Sequence, residues 1–236
     1  MIQAYYDLHL HSCLSPCGDE DMTVNNLLHM AQLKELDLIA LTDHNTCQNC
    51  PALLQAAKGS RLTVLPGMEL TCAEEVHVVC LFPVLDAAMA FSDYVYAHLP
   101  PIPNAPEIFG EQHILDSEDH VIGELEKLLV NATDIPIFDL PELLHGYGGI
   151  CFPAHIDRNS YSILSNLGMI PPECGFRVLE VAQPEHFFAA GNHSGLQNGY
   201  TIFVDSDAHD LATISEREHM LALTSINFEG LAEYFQ

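Results

Sequence analysis

The sequence predicts an α/β fold, with its strands closed into a barrel rather than left as an open sheet. Apolar β-rich runs alternate with stretches of helical periodicity along most of the 236 residues, and about seven or eight strands emerge. The residues able to carry chemistry fall at or just beyond the carboxyl ends of those strands, where parallel α/β folds place their sites. A chain of this length buries a full core as one domain, 1–236, and its 48% hydrophobic content argues against disorder.

Ala4 to Leu10 reads as the first strand and contains Asp7-x-His9, with His11 following. Histidines one residue apart on a strand face the same side, about 6–7 Å from each other, so one metal ion can take both. Thr23 reads as the cap of a helix whose apolar residues Leu27, Leu28, Ala31 and Leu36 recur at roughly helical spacing. Asp37 to Thr42 forms a second strand ahead of Asp43-His44-Asn45. Leu62 to Leu65 leads into Gly67-Met68-Glu69, and Val76 to Phe82 is a fourth strand that carries His77. Later strands fall at Ile150–Phe152, just before Pro153-Ala154-His155, and at Val178–Val181. Tyr200–Val204 leads into Asp205-Ser206-Asp207-Ala208-His209, and a last strand lies near Leu221–Thr224.

Between residues 86 and about 148 the alternation lapses. Pro100, Pro101, Pro103 and Pro106 end a helix over Asp86–His98, and a second helix is expected over Ser117–Val130, with Asp116, Glu118, Asp119, Glu124 and Glu126 on a solvated face. This is a helical insertion, either a lid or substrate wall over the site or a peripheral decoration.

Thirty-three acidic and seven basic residues give a formal charge of −26. That balance argues against a protein that follows long nucleic acid by counterion release, and the expected partner is a small phosphorylated substrate. Cations in a site would dominate its local field whatever the outer surface carries. No basic leader precedes an apolar core, and no apolar run reaches membrane-spanning length, so a soluble, cytoplasmic protein without membrane contact is expected. The eight cysteines read as reduced thiols. Cys47-x-x-Cys50 has no second Cys-x-x-Cys to pair with and reads as coincidental spacing.

A His-x-His pair alone could be hydrogen-bonded within a core. Several histidines and carboxylates at strand ends would instead leave many polar groups in one cavity without a common partner, and shared divalent ions resolve that. Zinc, manganese and iron all suit such a mixture.

Asp7-Leu8-His9-Leu10-His11-Ser12, Ser15-Pro16-Cys17-Gly18-Asp19, Thr42-Asp43-His44, Gly67-Met68-Glu69, His77, Pro153-Ala154-His155 and Ser206-Asp207-Ala208-His209 resemble, in order, the motifs of the polymerase and histidinol phosphatase (PHP) superfamily. The resemblance implies a distorted (β/α)7 TIM-like barrel holding two to three divalent ions, with phosphate esters hydrolysed by a metal-activated water. It implies His9, His11, Glu69 and Asp207 around a first metal, with Glu69 bridging to a second that His77 and His155 complete. Asp19, His44 and His209 would hold a third, Cys17 and Asp21 being alternatives to Asp19 in the same loop.

Beside these, Asp7 and Asp43 are placed to accept the second imidazole hydrogen of the ligands. Arg158, one of four arginines, is a candidate phosphate binder three residues after His155. Glu180 ends a strand on the same side but stays outside the expected ligand set. The leading expectation is a stand-alone phosphoesterase acting on a small phosphomonoester or a short nucleotide. Its alternatives are a catalytically inactive metal-binding interaction module of the same superfamily and an amidohydrolase-type C–N hydrolase. The last commonly adds a bridging lysine, and Lys34, Lys58 and Lys127 all fall in or near expected helices.

Overall fold

Strand β1 (Ile2–Leu10) is exposed at its first two residues and buried along its second half, as a strand running into the centre of a fold must be. Helix α1 (Val24–Leu33) is capped by Thr23, whose side chain accepts from the Asn26 amide, and it buries Val24, Leu27, Leu28 and Ala31. Then come β2 (Leu38–Leu41), α2 (Cys50–Ala56), β3 (Thr63–Thr71), β4 (His77–Leu81) and α3 (Leu85–His98). Strands β5 (His113–Leu115), β6 (Val121–Glu124), β7 (Ile150–Pro153), β8 (Val178–Glu180), β9 (Thr201–Phe203) and β10 (Met220–Leu223) follow, joined by short helical turns. This computed structural model describes residues 1–236.

Six strands form one curled sheet in the order β10-β1-β2-β3-β4-β7. β1, β2 and β3 run parallel, while β10, β4 and β7 join antiparallel. β8 and β9 make a separate parallel pair. That pair meets the chain just after β7 and just after β1, through Ile156 N donating to Glu180 O at 2.9 Å and His11 N donating to Ala208 O at 3.1 Å. The fold is therefore α/β, but its hydrogen bonding is not that of the expected (β/α)7 barrel. Only the short turn Cys72–Val76 separates β3 from β4, and a parallel pair needs a crossover of a dozen or more residues, so those strands must form a hairpin. An apolar run signals a buried strand without signalling its direction.

Both faces of the curl are packed. Along β2, Leu38 and Ala40 point to one core with Tyr6, Leu8, Phe152 and Phe203, while Ile39 and Leu41 point to the other with α1 and α2. Each fully buried Phe contributes about 1.5–3 kcal/mol of apolar transfer. Tyr6 and Phe152 pack at an angle against Phe203 in the inner core, with ring centroids 5.5 and 5.6 Å from it.

The segment 86–148 departs from β4 and returns as β7, two hydrogen-bonded neighbours. Its first helix forms as expected. The second does not: residues 113–124 make the β5–β6 hairpin. Asp116 Oδ1 accepts from the amides of Glu118 and His120, and Asp119 takes φ +63°, so the acidic run is a tight turn rather than a helix face. The Asp119 carboxylate then accepts from Thr23 Oγ1 and Asn25 N at the start of α1. The return path crosses the loop after β2, where Asn45 Nδ2 donates to Leu129 O and Asn131 O. No helix is long and apolar enough to cross a membrane.

Candidate metal centre

Glu69, near the end of β3, is buried, and five imidazoles surround its carboxylate, those of His9, His11, His44, His77 and His155. His77 Nδ1 lies 2.8 Å, His155 Nε2 3.1 Å and His9 Nε2 3.2 Å from Oε1, and His44 Nδ1 lies 2.9 Å from Oε2. Backbone bonds hold it there: Glu69 N donates to Thr42 O and Asn45 N donates to Glu69 O, which ties the Thr42-Asp43-His44 loop to β3. Gly67 makes the close approach possible, since a Cβ there would sit 2.7 Å from Leu81 Cδ2 and 2.8 Å from Cys80 O.

His9, His11, Glu69 and Asp207 converge from β1, β3 and the loop after β9. His9 Nε2 is 3.2 Å from both Glu69 Oε1 and Asp207 Oδ1, and His11 Nε2 is 3.4 Å from Glu69 Oε2 and 3.0 Å from Asp207 Oδ1. Ligands about 2.0–2.1 Å from a tetrahedral ion are about 3.3 Å from one another, so these spacings fit one cation at the centre of the group. A second group brings together His44, Glu69 and His77, with His155 against the same oxygen of Glu69, and a third brings together His11, His44 and His209.

The ring orientations say which nitrogens are free. His9 Nδ1 donates to Glu180 Oε2 at 2.8 Å, and Glu180 Oε1 accepts from His155 N at 3.0 Å. Ser15 Oγ donates to Asp43 Oδ1 at 2.8 Å, which leaves it an acceptor for His11 Nδ1 at 2.9 Å. Both imidazoles are thus fixed with their Nε2 lone pairs toward Glu69 and Asp207. His9 Nε2, His11 Nε2, His44 Nδ1, His77 Nδ1 and Asp207 Oδ1 are buried and have no hydrogen-bond partner. Lone pairs facing carboxylate oxygens at about 3 Å repel unless a positive charge lies between them, and a proton or a divalent cation can supply it. The residues present therefore fit divalent ions.

The electrostatics agree. Burial pushes the His11 imidazole down, but hydrogen bonds and charge from Asp207 and Glu69 outweigh it and raise it to about 9. His44 is raised to about 9 against its burial by the Glu69 charge. Burial pushes Glu69 up, yet the charges of His77, His9 and His44 hold it well below the usual carboxylate range. His209 is lowered to about 3, by burial first and then by the neighbouring His11 charge. The carboxylates thus favour positive charge on His9, His11 and His44, whereas burial holds His77 and His209 toward their neutral forms.

Several neighbours lie elsewhere than the sequence predicts. Asp7 accepts from the Ser206 and Ser215 amides and Asp43 from Ser12 and Ser15, so neither orients an imidazole directly. Glu180, excluded as a lone strand-end glutamate, does that for His9. Its signal was present in the period of β8, which turns Glu180 and Val178 toward the same side. Asp19 is exposed, and its carboxylate accepts from Asp21 N at 2.9 Å, outside all three groups. Arg158 reaches the rim, where its NH1 lies 2.5 Å from Asp207 Oδ2 with the side chain 45% exposed. Cys47 and Cys50 are free thiols that donate to Gly67 O. The three lysines sit elsewhere, Lys34 with Glu216, Lys58 with Gln55 and Lys127 on the Tyr96 and Leu99 carbonyls, so no bridging lysine is present.

Strain accompanies the site. His155 (φ +29°), Asp207 (φ +50°) and Asn45 (φ +53°) hold left-handed conformations that cost of order 1–3 kcal/mol each and persist where surrounding bonds over-determine them. Asn45 Oδ1 accepts from Thr71 N, and His155 N is held by Glu180.

The sequence profile of the PHP domain matches residues 7–134. Over 81 residues the chain is 33% identical to the 5'-3' exoribonuclease Rnm of Salmonella typhimurium strain LT2, covering 32% of this chain and 27% of that protein. The lesion-specific endonuclease PfuEndoQ of Pyrococcus furiosus superposes with a TM-score of 0.69 at 17% identity, over 98% of this chain and 55% of that one. A complex of Endonuclease Q with a 27-mer duplex, an abasic lesion at its active site, gives 0.70 at 17% identity, over 99% and 56%. A protein assigned as a metal-dependent phosphoesterase from Bifidobacterium adolescentis gives 0.61 at 16% identity, over 97% and 94%. The chain thus spans about half the length of the endonuclease and matches about a quarter of the exoribonuclease. These likenesses establish a shared fold. They also overturn the expectation of a small substrate with long nucleic acid excluded, because one fold relative holds a DNA duplex and a sequence relative is an exoribonuclease. Net charge is a sum over the whole surface, whereas a bound strand meets the field of the site.

Proposed function

Because this chain belongs to the PHP domain family, whose profile covers more than half of it, we propose that it is a metal-dependent hydrolase of phosphoester bonds in nucleic acid. The observation that carries the reading is the buried Glu69 carboxylate ringed by imidazoles whose free nitrogens lack partners. His9, His11, Glu69 and Asp207 would hold one divalent ion, Glu69, His77 and His155 a second, and His44 and His209 with His11 a third. When bound, such ions lower the pKa of water, polarise the phosphoryl oxygens and offset their charge.

The remaining work belongs to the chain. Glu180 and Ser15 keep the His9 and His11 rings from turning. Arg158, already at the rim on Asp207, is placed to hold a phosphate oxygen with the nitrogen that Asp207 does not use. Beyond it a groove of about 620 Å³ runs between Arg158, Asn159, Gln183, Phe187, Asn192 and His193. Phe187 and His193 stack there with centroids 4.2 Å apart and planes 3° from parallel, a flat surface of the kind on which an unpaired base rests. The acidic outer surface limits binding to strands that reach the site, and affinity then falls with salt less steeply than for a basic protein.

The test loads purified protein with manganese or zinc and offers single-stranded RNA, single-stranded DNA and a duplex with an abasic site. Cleavage of at least one, abolished by chelation and by His9→Ala, is expected. Intact oligonucleotides with every metal form would overturn the reading.

A further inference from the structure

The Tyr161 ring stacks on the His77 imidazole, with centroids 4.7 Å apart and planes 25° from parallel, and His77 Nδ1 lies 2.8 Å from Glu69 Oε1. One face of the phenol ring is thus covered by a residue of the candidate cluster. The side chain is nevertheless 45% exposed, so its opposite face opens to solvent beside that cluster.

The backbone holds the ring in an unfavourable conformation. Tyr161 takes φ +53°, a left-handed geometry that a bulky side chain rarely adopts and that surrounding bonds must over-determine. His77 N donates to Tyr161 O at 2.9 Å, Ser162 Oγ donates to Arg158 O at 2.8 Å, and Arg158 N donates to His155 O at 2.9 Å. The Asp157 carboxylate accepts from the amides of Ala182 and Gln183, which ties the same loop to the segment after β8. One fixed loop therefore carries a guanidinium, Arg158, and an aromatic face, Tyr161, with Cα atoms no more than about 10 Å apart. The phosphate and base of one nucleotide lie within that reach. Tyr161 does not line the groove that holds the Phe187–His193 stack, so it is a separate platform.

We propose that Tyr161 stacks the base of the nucleotide beside the scissile phosphate and so selects strands that are unpaired there. This rests on the nucleic-acid reading above and names its substrate more closely. A base within a duplex has both faces covered by its neighbours, whereas an unpaired base can turn out and lay one face on the phenol ring. His77, against the other side of the ring, keeps the platform from tilting away. With seven basic residues in the whole chain, side chains can neutralise few backbone phosphates, so stacking carries a larger share of the affinity.

Steady-state kinetics of the zinc-loaded full chain tests this, with single strands that are intact or lack one base at successive positions around the cut. The expected result is a KM about tenfold or more higher when the missing base is the one beside the scissile phosphate. That difference should vanish in Tyr161→Ala and persist in Tyr161→Phe, with equal zinc content in all three proteins by elemental analysis. A second measurement needs no variant: a fluorescent aminopurine base at the same position of a cleavage-resistant phosphorothioate strand should be quenched when the wild-type protein binds. A wild-type chain that treats intact and base-free strands alike, a base preference that survives in Tyr161→Ala, or an aminopurine that keeps its fluorescence would overturn the proposal and leave the nucleic-acid reading standing. Loss of zinc in Tyr161→Ala would overturn it too, by showing the ring to be a support for His77. A wild-type chain that cleaves no strand would overturn both.

Discussion

The Nδ1 of His9 lies 2.8 Å from Oε2 of Glu180, although 171 residues separate them and neither side chain is exposed. The contact joins the end of β1 to the end of β8, and through Glu180 Oε1 it reaches the backbone of His155 as well. One carboxylate therefore aims a ring near the end of β1 and fixes the strained loop after β7.

Replacing Glu180 with Gln leaves one oxygen for two donors, so either the His9 ring or the His155 amide loses its acceptor. Metal affinity should fall about 10- to 100-fold while the fold persists. Competition with a chelator, followed by circular dichroism, measures both. Unchanged affinity would remove Glu180 from the account.

Arg158→Ala should raise KM for an oligonucleotide about tenfold to a hundredfold, the equivalent of one charge-assisted hydrogen bond of about 1.5–3 kcal/mol. Metal content should stay the same, because Arg158 touches only the outer oxygen of Asp207. Steady-state kinetics with elemental analysis separates this from a ligand defect, which would change both.

Adding a methyl group at Gly67 should cost about 1–3 kcal/mol, since the new Cβ meets the Cys80 carbonyl and Leu81 without room to move. Urea unfolding of Gly67→Ala checks this. A midpoint equal to that of the wild type would show that β3 and β4 can separate at no cost.

Divalent ions should stabilise the folded chain. At a hundred times the dissociation constant, one bound ion adds about 2.7 kcal/mol, and for a chain of this size that raises Tm by roughly 5–10 °C. Thermal melts with and without manganese or zinc measure the shift, and a chelator should reverse it.

The strands up to β4 were legible because each is a bounded apolar run, and the donor residues were legible because each follows such a run. Strand direction was not, since the third strand was expected to end at Leu65 but continues through Glu69 to Thr71, which leaves too short a turn before His77 for a parallel crossover. The Ser117–Val130 helix failed for a local reason: Asp116 and Asp119 offer the backbone side-chain acceptors, and a tight turn outcompeted the helix. Among the donors, His9 and His11 could be paired from spacing alone. Glu180 and Ser15 could not, because their partners are fixed only when β8 and the Ser12–Ser15 turn meet β1. The expectation of a small substrate failed because a formal charge of −26 describes the average surface and says little about the rim around Arg158 and Asp207.

The central claim is that imidazoles and carboxylates drawn from both ends of the chain share divalent cations through Glu69. Elemental analysis of protein exposed to zinc, manganese and iron and then dialysed tests it most directly, with Glu69→Gln in parallel. About two to three ions should be retained per wild-type chain, and most of them should be lost in the variant. A wild-type chain that retains none, or a variant that retains as many, would contradict it.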